Sequence, residues 1–328
     1  MTTALIFGIS GQDGSYLSEL LISSGIKVYG VVRRNSVAEN QDYRLRQINN
    51  QIQTFYGDVT DAGKVVELIS ELKPDFIFNL AAQSHVRISF DIPKYTAEVN
   101  AIGTLNILEA IRSTSKSSFF YQASSSEMFG LGVDADGRQR ESTPMLPVSP
   151  YGASKLFAYT VTNVYREAYN LRTFNGILFN HESPRRGSNF VTSKIVKSAV
   201  AIKMGLQSEL ILGNLHAQRD WGHSRDYVRA MKMMLENGNP DNYVIATGET
   251  RTVKDMCEIA FSRLNLDWQD YVKTDEKYFR PQELPYLCGD ASKANKLLGW
   301  FPATSFETLV GEMVDHWSTV LKDNPEIA

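Results

Sequence analysis

ALIFGISGQDGSYLSELL, residues Ala4–Leu21, opens as a short apolar run and closes as an amphipathic one, and the change of period falls on three glycines. Ala4–Gly8 is short and apolar enough for a buried strand, and Tyr16–Ile22 repeats apolar residues at three- and four-residue spacing, as a helix does. Gly8, Gly11 and Gly14 stand at GxxGxxG spacing where strand becomes helix. A turn without Cβ atoms lets the backbone approach a pyrophosphate, and the helix behind it offers free N–H groups and a partial positive charge. Turn glycines are common. The placement directly after a first strand and before an amphipathic helix is what makes these three read as a dinucleotide site.

The pattern repeats outward from there. Lys27–Val32, Gln53–Gly57, Asp75–Ala82 and Ser118–Ser124 are apolar and rich in β-formers, with helical stretches at Ala62–Leu72 and Thr96–Ile111 between them. Strands that alternate with helices predict βαβ units and a doubly wound parallel sheet of the Rossmann type. Two further strands are expected at Thr173–Asn180 and Asn242–Gly248, separated from the first five by a long helix beginning near Tyr151. Past Pro184 the pattern loosens into long loops at Pro184–Asn189, Gly213–Ser224 and Arg280–Gly289. Long loops of mixed chemistry in a compact chain usually carry function. The reading is therefore a dinucleotide-binding domain over residues 1–180, with strand 242–248 added from later in the chain. A smaller, interleaved substrate lobe covers 181–328.

Bulk composition excludes several classes. The 328 residues are 43% hydrophobic and 22% charged, an ordinary globular mix. With 34 basic against 37 acidic residues there is no basic excess for gripping nucleic acid. Cys257 and Cys288 form no CxxC pair and the five histidines no HExxH, so neither a disulfide frame nor a metal site is expected. MTTALIFGIS lacks the basic start and long apolar run of a signal peptide, and no stretch reaches membrane-span length. A cytoplasmic location is the expectation.

The second strand runs into VVRRNS, where an acidic residue commonly meets the ribose 2′-OH of NAD. Arg33 and Arg34 suit a 2′-phosphate instead, which predicts NADP. Asp58, after the third strand, is placed for the adenine edge. NLAAQSHV (Asn79–Val86) would wall the cofactor, with His85 more plausibly structural than functional. Tyr151 and Lys155 stand at YxxxK spacing, one helical turn apart on one face. A lysine charge there would lower the tyrosine pKa and make it a base near neutral pH. Ser124, Ser125 and Ser126 close the fifth strand, where open α/β sheets place ligands, and Glu127 follows at once. A carboxylate beside a base and a hydride acceptor can remove a proton next to a newly formed ketone, which a simple dehydrogenase does not need.

Together GISGQDGSYL, VVRRNS, NLAAQSHV, YQASSSE, SPYGASK, GILFNHESPRRG, RDWGHSRDYV, YFRPQE and KLLGWFP, in this order across essentially the whole chain, resemble the extended short-chain dehydrogenase/reductase family, and within it the GDP-mannose 4,6-dehydratases. The resemblance implies catalytic roles for Ser125, Glu127, Tyr151 and Lys155. Tyr151 would take the 4-OH proton while hydride leaves C4, Glu127 would remove the C5 proton, and water would leave C6 before hydride returns there. It implies cofactor contacts at Gly8, Gly11, Gln12, Asp13, Gly14, Arg33, Arg34, Asp58, Val59, Leu80, Ala82, Ser84, Tyr151 and Lys155. Substrate contacts are implied at Ser84, Asn180, Lys194, Arg219, Arg280 and Glu283. The loop Arg34–Asn40 looks like the family segment that reaches a neighbouring subunit, which implies a homotetramer or homodimer. Ser125 stands where threonine is more usual, and Ser193, His216, Gln218 and Arg87 also depart from common choices. These departures keep open a GDP-manno-heptose as substrate; a 4-keto-sugar reductase or epimerase is the lesser alternative, Glu127 arguing against it because a reductase needs the tyrosine and hydride but no C5 base.

Overall fold

The computed structural model describes residues 1–34, 43–236, 239–279 and 282–328. Its strands are β1 (Thr3–Phe7), β2 (Lys27–Val32), β3 (Ile52–Tyr56), β4 (Phe76–Asn79), β5 (Phe119–Ser125), β6 (Arg172–Leu178), β7 (Asn180–Glu182), β8 (Leu210–Leu212), β9 (Gln218–His223), β10 (Asn242–Ile245), β11 (Thr250–Thr252) and β12 (Val272–Thr274). The helices are α1 (Gln12–Ser23), α2 (Ala62–Leu72), α3 (Val86–Asp91), α4 (Pro93–Ala97), α5 (Gly103–Thr114), α6 (Pro150–Tyr169), α7 (Val191–Lys203), α8 (Ser224–Glu236), α9 (Val253–Ser262), α10 (Ser292–Leu298) and α11 (Phe306–Asp323).

Seven strands form one sheet in the order β10-β6-β5-β4-β1-β2-β3, and every pairing in it is parallel. This is the doubly wound Rossmann arrangement. The order reverses between β1 and β4, the place where such sheets bind ligands beyond their carboxyl ends. Both faces of the inner strands are covered, which is why they read as apolar runs rather than alternating ones, while the edge strand β3 stays largely open. Along β1, Ala4 and Ile6 pack on one face with Leu17, Leu21, Met231 and Trp300. Leu5 and Phe7 point to the other, against Leu68, Ile107 and Ile111. Each such fully buried side chain contributes roughly 1.5–3 kcal/mol.

The remaining strands form a three-stranded sheet, β11-β9-β7, and a two-stranded pair, β12-β8. A separate core of α7, α9 and α11 side chains, with Phe261, Phe306 and Met313 at its centre, supports them. Three expectations need correction. The strand foreseen over Thr173–Asn180 is two elements, β6 and β7, because the chain leaves the main sheet at Phe179 to pair with β9. The Gly213–Ser224 stretch is not all loop, since Gln218–His223 is β9, paired on both sides. The helix foreseen from Thr96 begins at Pro93 and passes through a π turn at Glu98–Ile102 before α5. Among the described residues no helix is long and apolar enough to cross a membrane.

Candidate active site

The glycine turn sits at the carboxyl end of β1, beside the switch point. An atom added at Cβ of Gly14 would lie 2.5 Å from the Gly8 carbonyl and 2.6 Å from that of Ile9, so only glycine lets α1 start this close to the strand. Gly11 is the residue before α1 and provides no side-chain cap. The first N–H groups of the helix are thus left for an anionic ligand, which fits a dinucleotide pyrophosphate. Gln12 and Asp13 point across to β7. Gln12 Nε2 donates to the His181 carbonyl at 3.1 Å, and Asp13 pairs with His181 Nε2 at 2.7 Å.

Arg33 and Arg34 are exposed at the end of β2, and the Arg33 guanidinium donates to the Tyr95 hydroxyl. Asp58 accepts from the backbone and hydroxyl of Thr60, at 2.9 and 2.8 Å. Val59 is buried, its carbonyl accepting from Asn106. These four lie along the edge of β2 and β3, away from the cavity described next. The loop 35–40 falls outside the described residues. His85 caps α3, its Nδ1 accepting from Ile88 N at 3.3 Å.

A cavity of about 630 Å³ opens beyond the carboxyl ends of β4, β5 and β6. Its lining brings together Leu80, Ala82, Ser84, Ser125, Glu127, Tyr151 and Lys155 with Asn180, Lys194, Arg219 and Glu283, residues far apart in the sequence. Arg280 lies outside the described residues. Ser149 caps α6 by accepting from Gly152 N, and Pro150 occupies its first turn, which sets where Tyr151 and Lys155 emerge. Gly152 explains the proximity of Tyr151 and Glu127. A Cβ there would stand 2.6 Å from the Glu127 carbonyl, so α6 packs on the turn after β5 only because that atom is missing.

Ser125 Oγ accepts from the Glu127 backbone N–H at 3.2 Å, and Tyr151 lines the same cavity. All three residues are buried. Burial pushes the Tyr151 hydroxyl up to about 12; Ser125 and Arg186 pull the other way, and the Glu127 charge adds to the rise. Burial brings the Lys155 ammonium down to about 8, with Asp13 opposing. Lys155 Nζ donates to the Ala123 carbonyl at 2.8 Å and lies 5.9 Å from the Tyr151 ring centre. Desolvation of the phenolate is thus the largest influence on the Tyr151 hydroxyl in the protein alone.

At the far end, Arg219 Nη2 pairs with Glu283 at 2.8 Å and Nη1 donates to the Leu284 carbonyl at 2.7 Å. Lys194 Nζ donates to the Ile211 carbonyl at 2.7 Å and sits over the Tyr278 ring. Asn180 Oδ1 is buried without a hydrogen-bond partner on the cavity wall. A buried polar atom left so usually answers to a ligand or an ordered water.

The segment HESPRRG after Asn180 was expected at the sugar phosphates or the mouth of the site, with no separate role for its single residues, and His181 and Arg186 from it line the cavity. His181 Nδ1 meets the Phe179 carbonyl at 2.7 Å, its ring stacks on Tyr227, and its pKa is raised by Asp13 against the effect of burial. The pair RR in HESPRRG was the available signal for Arg186; nothing local marks His181, whose partner is 168 positions away. Among the described residues no cluster of three or more His, Cys, Asp or Glu could hold a metal ion.

Solved structures share the fold over almost the whole chain. A UDP-glucose 4-epimerase from Thermus thermophilus in complex with NAD matches with a TM-score of 0.84 at 24% identity, covering 96% of this chain and 99% of that one. A Pseudomonas aeruginosa protein titled RMD, complexed with NADPH, matches at 0.81 and 21%, covering 97% and 100%. Sequence relatives are much nearer. GDP-mannose 4,6 dehydratase 2 of Arabidopsis thaliana is 51% identical over 322 residues, covering 95% of this chain and 86% of that one. The human GDP-mannose 4,6 dehydratase is 46% identical, covering 98% and 93%. The Sinorhizobium fredii enzyme of that name is 46% identical, covering 95% of each. The family model for GDP-mannose 4,6 dehydratase matches residues 5–313. This chain belongs to the GDP-mannose 4,6-dehydratase family.

Proposed function

We propose that the chain catalyses the NADP-dependent 4,6-dehydration of GDP-mannose to GDP-4-keto-6-deoxymannose. The observation that carries this reading is the meeting of Ser125, Glu127 and Tyr151 at one end of a cavity whose other end holds Lys194 and Arg219. A reductase would use the tyrosine and the hydride but has no work for the carboxylate beside them.

In this reading Arg219 and Lys194 hold the diphosphate and Glu283 and Arg280 the nucleoside, while Asn180 and Ser84 meet the sugar end. The Ser125 hydroxyl donates to the 4-oxygen and Tyr151 takes the 4-OH proton. The carbonyl so formed at C4 acidifies the C5–H, and the Glu127 carboxylate removes that proton. The 6-hydroxyl leaves as water once protonated, and a proton is returned to C5, so the substrate loses one water in total. When bound, the oxidised dinucleotide supplies a hydride acceptor for C4, a donor of that hydride to C6, and a positive charge that favours phenolate at Tyr151. Lys155 orients this end of the site. Gly8, Gly11, Gly14, Gln12 and Asp13 hold the pyrophosphate turn, Asp58 and Val59 the adenine edge, and Leu80 and Ala82 the wall between.

NADP rather than NAD is supported by Arg33 and Arg34, a pair of guanidinium groups exposed where β2 ends, whose geometry suits a 2′-phosphate. Residues 1–180 with strand 242–248 form the dinucleotide half in this account, and 181–328 most of the substrate half. A homotetramer or homodimer in the cytoplasm belongs to the same reading, and sedimentation of the purified chain tests the first of these. The activity itself is tested by incubating the protein with GDP-mannose and NADP+ without reductant. Mass spectrometry should show loss of one water with no accumulation of NADPH, and an unchanged substrate would overturn the proposal.

A further inference from the structure

Residues 283–289 form isolated bridges only, yet they carry part of the cavity wall. Strand β9 holds this strap. Gln218 N donates to the Pro285 carbonyl at 2.9 Å, and Leu287 N donates to the Gln218 carbonyl at 3.2 Å. Arg219, next along, reaches Leu284 and Glu283 as described above. Asp220 follows on the opposite face of the strand, with no exposed surface. Its Oδ1 accepts from Thr247 N at 2.8 Å and Thr247 Oγ1 at 2.7 Å. Its Oδ2 accepts from Gly248 N at 2.8 Å and Gly289 N at 3.2 Å. One carboxylate thus joins three parts of the chain: β9, the turn after β10, and the end of the strap. Arg138 closes the same junction, donating to Gly248 O at 2.8 Å.

We infer that Asp220 is a positioning residue for substrate binding, which fixes the 283–289 strap on β9 and so places Arg219 and Glu283 at the nucleotide end of the cavity. This rests on the GDP-sugar reading above. An ionised carboxylate only accepts hydrogen bonds, and here four donors converge on it. Asparagine offers one acceptor atom and turns N–H donors toward the other side, so at least one backbone N–H loses its partner. The strap and Arg219 feel that loss. Ser125, Glu127, Tyr151 and Lys155 do not, because they stand on β5, the turn after it and α6.

The test is steady-state kinetics with GDP-mannose, together with calorimetric titration of GDP into the dinucleotide-loaded protein, for wild type, Asp220→Asn and Thr247→Val. Asp220→Asn should raise KM and the Kd for GDP about tenfold or more, the effect of one stranded buried N–H, with kcat within about threefold of wild type. Thr247→Val removes one donor and keeps the rest, and should raise both about two- to fivefold. Unchanged KM and GDP affinity in both variants overturns the proposal, as does a fall in kcat at constant KM. Should Asp220→Asn fail to fold, Thr247→Val decides alone. A wild-type protein that neither dehydrates GDP-mannose nor binds GDP overturns the functional reading instead, which is a separate result.

Discussion

Lys155 should cost the fold stability that its removal gives back. The side chain is 4% exposed, and burial lowers its pKa from 10.5 to about 8. The folded state therefore binds the lysine proton less tightly than the unfolded chain does. Stability rises with pH between about 8 and 10.5 and is lowest, for this group, below 8. At neutral pH the penalty is about 3 kcal/mol, taking 1.36 kcal/mol for each tenfold change in proton affinity. Lys155→Met keeps the length of the side chain and removes the charge. It also removes the bond to the Ala123 carbonyl, worth about 1.5–3 kcal/mol for a charged donor. The variant should then be more stable than wild type by up to about 1.5 kcal/mol at pH 7. Above pH 10 the order should reverse, because wild type no longer carries the buried charge. Urea denaturation of both proteins from pH 7 to pH 10.5 reads this directly, and dehydratase activity should fall about 10²-fold or more in the same variant. A Met variant less stable than wild type at every pH, by a constant margin, would refute the reasoning.

Other expectations follow from the same geometry. Glu127→Gln should still exchange hydride at C4 but lose water about 10²–10⁴-fold more slowly, measured by isotope exchange beside product formation; normal dehydration would remove Glu127 from the role of base. Gly14→Ala forces a Cβ against two carbonyls, and should abolish dinucleotide binding by fluorescence titration and lower Tm. Arg33→Ala with Arg34→Ala should weaken NADP binding about tenfold or more while leaving NAD nearly unaffected, and equal losses for both cofactors would contradict NADP preference.

The main sheet was legible because a parallel strand buried on both faces has to be apolar along its length, and Ala4–Phe7, Phe76–Phe78 and Phe119–Tyr121 are. Tyr151 and Lys155 were legible because their relation is local, one turn of one helix. Strand β9 was not. Arg219, Asp220 and His223 lie within it and are buried, so its sequence reads as a charged loop. Their partners come from positions 283, 247, 289 and 312, and no window of sequence around β9 contains them. The link between Asp13 and His181 was hidden for the same reason. The raised pKa of Tyr151 in the protein alone was also out of reach, since YxxxK spacing says nothing of the depth of burial that causes it.

The central claim is that one hydride leaves C4 of the sugar and returns to C6 of the same molecule, with the C5 proton handled by the protein. GDP-mannose deuterated at C4 is the direct probe. With NADP+ and no reductant, the product should be one water lighter, carry the deuterium at C6, and have exchanged C5 hydrogen with solvent. Deuterium recovered in the free cofactor pool, or retained at C4, would contradict the account.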